Sequence, residues 1–147
     1  MPVRKASAVW EGDIRGGNGK VSLGSGAFEG RYSFGSRFEE GAGTNPEELI
    51  GAAHAGCFSM ALSAGLGRAG FQARRIATSA RVHFEKVEGG FGITRIDLTT
   101  DAEVPGIDEA TFRQQVEATK AGCPVSRALK AEIAVEATLH AIRAIGS

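Results

Sequence analysis

Cysteine is scarce in this sequence, with two residues, Cys57 and Cys123, far apart in the chain. No Cys-x-x-Cys pair occurs, which argues against a thioredoxin-type site and a zinc ribbon. Only three histidines are present, and none shows a His-x-x-x-His or His-x-x-Glu spacing, so a resident metal is not expected. Neither sign of charge is in excess, 17 basic residues standing against 17 acidic. Without a basic stripe or a lysine-rich tail, neither nucleic acid nor an anionic membrane surface is an expected partner. A nucleophile elbow, a Ser-His-Asp spacing and a dinucleotide fingerprint are all missing. The glycines from Gly12 to Gly26 do not lead from a strand into a helix, as a phosphate cradle requires. Residues 1–10 hold no continuous apolar stretch and no cleavage-type site, so the expected location is cytoplasmic.

What is present fits one domain over residues 1–147. The 21 glycines are scattered through periodic segments and mark turns and close contacts rather than a disordered linker. Residues 49–67 carry no charge, and that length reaches across a bilayer. His54, Ser59, Ser63 and a shortage of large aliphatic side chains oppose a membrane span. The run reads as a central helix buried on most sides within a soluble protein.

Three strands are expected first, at Lys5 to Trp10, Gly19 to Leu23 and Glu29 to Phe38, separated by Gly-rich turns. They suggest an antiparallel meander with Arg37 at a strand end. Asn45-Pro46-Glu47-Glu48 is a strong helix start: Asn45 suits the N-cap, Pro46 the first helical position, and Glu48 a capping-box-like arrangement. That helix should end near Leu66. A hairpin turning at Glu88-Gly89-Gly90 follows, then a helix from Asp108 to Lys120, a short one opening at Pro124, and a last half-buried strand through Ile133, Val135, Ala137 and Leu139. Helices and hairpin strands in separate runs indicate an α+β fold with antiparallel sheets.

Cys57 falls in the middle of the long helix, sharing a stripe with Ile50, Ala53, Ala61 and Ala64. Apolar surroundings raise a thiol's pKa and make it inert, so reactivity there needs a neighbouring cation. Cys123 stands between Gly122 and Pro124, directly before a helix N-terminus, where free amides and the dipole favour a thiolate. From these residues alone, two inert buried thiols and a redox pair are both open. His54, three residues before Cys57, suits a packing or supporting role better than metal binding. Glu47 alone reads as dipole stabilisation, and Arg37 alone as a solvated arginine.

Several segments together resemble the OsmC/Ohr family: Trp10 to Ile14, the run from Gly43 to Leu62, Val104 to Asp108, and Ala121 to Ser126. They cover nearly the whole chain in order, and the long central run, including His54-Ala55, is similar to the OsmC branch. The resemblance implies an intertwined homodimer with sites at the subunit interface. It implies a thiol peroxidase for organic or fatty-acid hydroperoxides that protects against oxidative or osmotic stress. Cys57 would be peroxidatic, passing through a sulfenic acid to a Cys57–Cys123 disulfide, with Arg37 and Glu47 as the activating pair. It implies no metal, haem or flavin, and an external dithiol reductant such as a lipoylated protein. Ten residues of helix span about 15 Å, so Glu47 is expected to reach Cys57 of the partner subunit, with Arg37 donated likewise. Phe38, Phe58 and Met60 are expected to favour alkyl hydroperoxides. Peroxiredoxins usually place Thr three residues and Pro seven residues before the nucleophile; here those positions hold His54 and Ile50. The competing reading from another class is a non-enzymatic redox-sensing or ligand-binding dimer of the same fold.

Overall fold

The computed structural model describes residues 1–140 and falls into two compact units, Met1–Leu49 and the chain from Ile50 onward. In the first unit, β1 (Ala6–Glu11), β2 (Asn18–Leu23) and β3 (Glu29–Tyr32) form the expected antiparallel meander. Gly19 lies against the rings of Trp10 and Tyr32, whose centroids are 5.4 Å apart. A Cβ at Gly19 would come within 2.4 Å of the Tyr32 ring, so close packing of the two rings requires glycine there.

The third strand stops at Tyr32 instead of running to Phe38. Ser33 Oγ accepts from the Ser36 amide at 3.1 Å, and Ser36 Oγ accepts from the Ser33 amide at 2.8 Å. This reciprocal box opens α1 (Phe34–Phe38). Arg37 therefore sits in the last turn of a short helix, not at a strand end. The next helix, α2 (Pro46–Arg68), starts as its sequence indicates, with Asn45 Oδ1 accepting from the Glu48 amide at 2.7 Å. The Glu48 carboxylate accepts from the Thr44 hydroxyl at 2.8 Å.

In the second unit α2 buries one face. Phe58, Leu62 and Leu66, spaced four apart, are wholly inaccessible and pack with Ile96, Leu98, Phe112 and Val116. The other face is open: Ala53, Gly56, Met60, Ser63 and Gly67 are exposed, Met60 at 78 %. Burial on most sides is thus not what a single chain provides. By length and composition α2 could cross a membrane.

Behind it, β4 (Arg75–Val87) and β5 (Gly90–Glu103) form a long antiparallel hairpin. A register shift at His83/Phe84 marks where the sequence alternation loses its clean phase. Beyond it Ile96, Leu98, Thr100 and Ala102 all lie on the buried face. The chain then runs through α3 (Glu109–Gly122) and α4 (Pro124–Ala128) to β6 (Glu132–His140), which pairs with β5 in parallel. Three pairings are antiparallel as expected and this one is not, because the two helices carry the chain back before β6 begins. A chain of hydroxyls, Ser59 to Thr78 to Thr100, each step 2.7 Å, ties α2 to β4 and β5.

Candidate active site

Cys57, half-buried on α2, and Cys123, fully buried between α3 and α4, bring their sulfurs to 3.3 Å. Both are free thiols. A covalent S–S bond measures about 2.05 Å, so bonding needs a small approach and no rearrangement of elements. Cys123 is held by two helices at once. Its amide donates to the Thr119 carbonyl at 2.8 Å and closes α3, while its carbonyl accepts from the Arg127 amide at 3.0 Å and opens α4. Pro124 carries no N–H, so the first free amides of α4 are those of Val125 and Ser126.

Those amides favour the ionised form of the sulfurs beside them. Burial pushes Cys123 upward, but the Ser126 amide, the Cys57 thiol, the Ser126 hydroxyl and the Val125 amide together carry it below its ordinary value. Burial also pushes Cys57 upward; the Val125 amide opposes this, the neighbouring Cys123 reinforces it, and Cys57 ends above its ordinary value. Cys123 is thus favoured and Cys57 disfavoured as the ionised sulfur, in a pair 3.3 Å apart whose titrations belong to both. Access runs the other way, because Cys123 has no exposed surface while Cys57 has some.

His54 lies one turn before Cys57, wholly buried, with Nε2 2.5 Å from Ser126 Oγ. Burial lowers its pKa, so the ring is neutral at pH 7. The amides beside Cys123 are those its place before a helix start led one to expect, whereas the Ser126 hydroxyl is a participant that the sequence reading missed. The available signal was the spacing: Ser126 lies three residues after Cys123, one helical turn away.

In the first unit Arg37 and Glu47 meet through two parallel bonds, Nε to Oε1 and Nη2 to Oε2, both 3.0 Å. Glu47 is nearly inaccessible. A guanidinium held in a fork by a buried carboxylate keeps its charge and a fixed plane. The expected residues thus form two pairs, Cys57 with Cys123 and Arg37 with Glu47, each inside its own unit. Phe58 belongs to the core and has no accessible surface, so it cannot line a substrate wall. Among the described residues no cluster of three or more His, Cys, Asp or Glu is arranged to hold a metal.

The family model described as OsmC-like protein matches residues 39–138. The chain is 55% identical over 134 residues to the Peroxiredoxin OsmC of Escherichia coli strain K12, covering 90% of this chain and 94% of that protein. It is 34% identical over 100 residues to an organic hydroperoxide resistance protein of Xanthomonas axonopodis pv. citri, covering 67% and 68% of the two chains. The crystal structure of an organic hydroperoxide resistance protein from Elizabethkingia anophelis superposes with a TM-score of 0.67 at 25% identity, over 96% of this chain and 99% of that one.

Proposed function

The chain belongs to the OsmC-like protein family, and on that premise we propose that it is a thiol peroxidase in which Cys57 attacks the hydroperoxide and Cys123 resolves the product. The observation that carries this reading is the 3.3 Å approach of two free thiols, one accessible and one buried, in a chain 55% identical to a peroxiredoxin.

The Cys57 thiolate attacks one peroxide oxygen. The S–O bond forms, the O–O bond breaks, and the departing alkoxide takes a proton to become the alcohol. Sulfur is oxidised and the peroxide reduced. Cys123 then attacks the Cys57 sulfenic acid: the S–S bond forms, the S–O bond breaks, and hydroxide leaves as water after protonation. An external dithiol restores both thiols by exchange and is itself oxidised to a disulfide. A lipoylated protein fits this requirement, in a cytoplasmic setting.

The surroundings of Cys57 explain why a cation is needed. With burial pushing it above its ordinary value, the accessible Cys57 has to be brought down by a neighbouring positive group. Arg37, held by Glu47, has the right chemistry, because a guanidinium does not lose its proton when desolvated. We assign that role to Arg37 and Glu47 of a second copy of the chain in a homodimer, whose interface includes the open face of α2. A charged fork beside an apolar helix face favours alkyl or fatty-acyl hydroperoxides.

The test is to expose reduced protein to one equivalent of cumene hydroperoxide and map its thiols by mass spectrometry. A Cys57–Cys123 disulfide that is absent in Cys57→Ser, and that dihydrolipoamide reverses with renewed peroxide consumption, supports the proposal. Two free thiols after exposure would refute the pairing. One stoichiometric oxidation without turnover would favour a sensor over an enzyme.

A further inference from the structure

On α2, three residues after Gly51, His54 stands out as a buried polar ring that the two-cysteine chemistry does not use. One nitrogen, Nε2, is 2.5 Å from Ser126 Oγ. The other, Nδ1, is buried and has no hydrogen-bond partner among the described residues. The ring is neutral because burial disfavours its charge, so a single proton sits on one of the two nitrogens. Buried N–H groups without an acceptor are rarer than buried acceptors without a donor, which places the proton on Nε2. His54 is then the donor, and the Ser126 oxygen the acceptor.

That assignment frees the Ser126 hydrogen. A serine hydroxyl has one hydrogen to give, and with His54 occupying a lone pair, the hydrogen turns elsewhere. Ser126 is the third helical residue of α4 and Cys123 its N-cap, which sets the Ser126 hydroxyl one turn from the Cys123 side chain, and that hydroxyl acts on the Cys123 thiol. We propose that His54 is a positioning residue for the resolving step: it donates from Nε2 to Ser126 Oγ and so aims the Ser126 O–H at Cys123 Sγ. This rests on the peroxidase reading above and deepens it.

The contribution falls in the second half of the cycle. Of the groups acting on Cys123, burial opposes ionisation, while the Ser126 and Val125 amides, the Ser126 hydroxyl and the Cys57 thiol favour it; Cys57 is the titratable neighbour and His54 acts through Ser126. Once Cys57 has become a sulfenic acid, its S–H is gone. The amides and the aimed hydroxyl remain to hold the Cys123 anion as it attacks, the hydroxyl keeping its own proton throughout.

The tautomer is read directly by ¹⁵N NMR of the imidazole, where an Nε2–H ring is expected and an Nδ1–H ring overturns the proposal. Kinetically, stopped flow separates sulfenic acid formation from disulfide closure. His54→Phe fills the volume without a donor, and Ser126→Ala removes the hydroxyl. Each is expected to lower the ratio of closure rate to formation rate about tenfold at pH 7, the loss of thiolate that one pKa unit brings, and to move the closure profile to higher pH. The double variant should lose no more than either single one. His54→Gln, whose amide N–H donates, should retain most of the ratio and also serves if the Phe variant folds poorly. Closure and formation falling together would mean a packing role and overturn the proposal. Absence of any disulfide in the unaltered protein would instead refute the peroxidase reading itself.

Discussion

At the scale of single residues, His54 has a thermodynamic consequence beyond positioning. Its pKa in the folded chain is lowered from an ordinary value of 6.5 by burial. The unfolded chain therefore binds a proton near pH 6.5 that the folded chain refuses until lower pH. Between those two values the unfolded state holds more protons, so stability rises with pH and is lost as pH falls. The slope in that window is about 1.4 kcal/mol per pH unit for one such group. Urea unfolding of the native protein at pH 7 and at successive steps below 6.5 should show this decline, and His54→Phe should lack that share of it. Equal slopes in the two proteins would mean that the ring takes up its proton in the folded state as easily as in the unfolded one. The cysteines present the complementary case. Two thiols 3.3 Å apart do not both ionise readily, and the amides at the start of α4 favour the charged form of the sulfur they face.

At the scale of elements, α1 shows why part of the molecule was legible in the sequence and part was not. Tyr32, Phe34 and Phe38 fall at even spacing, which reads as a strand of period two. The local hydrogen bonds of Ser33 and Ser36 prevail over that alternation, and a Ser-x-x-Ser box lacks the Glu or Gln that usually signals a helix start. The start of α2 was legible because Asn45 and Pro46 act locally. The parallel pairing of β6 with β5 was not, because it depends on where two helices return the chain. Cys57 and Cys123 stood out by rarity and by their helical settings, whereas Ser126 is one serine among many until His54 is seen against it. Ser36 does more than cap. Its hydroxyl donates to the Thr44 carbonyl at 2.7 Å, and its carbonyl accepts from Asn45 Nδ2 at 3.0 Å. These bonds pin the segment before α2 to α1, and so fix the ends from which Glu47 and Arg37 meet. Ser36→Ala leaves the Thr44 carbonyl buried without its donor and should cost about 1–2 kcal/mol in urea unfolding. It should also loosen the Arg37–Glu47 fork, seen as a larger fall in peroxide kcat/KM than the stability loss accounts for at temperatures where the variant is folded.

At the scale of the whole molecule, the open face of α2 and the proposed second copy stand together. A stripe of small residues with Met60 exposed at 78 % lets another helix come close, and close approach of two such helices would be isologous, each chain giving and receiving the same residues. If Arg37 and Glu47 serve Cys57 of the partner subunit, two defects on different chains repair each other. Arg37→Ala and Cys57→Ser homodimers should each be nearly inactive. After mixing, mild dissociation and reassociation, about half of the dimers combine both chains, and each of these has one intact site of its two, so activity should recover to about a quarter of the unaltered protein. Service within one chain predicts no recovery, since the chain keeping Cys57 lacks Arg37 and the chain keeping Arg37 lacks Cys57. The same mixture made with Arg37→Ala,Cys57→Ser on one chain and an unaltered partner separates the cases again: service across the interface leaves the mixed dimer without an active site, and service within a chain leaves it with one.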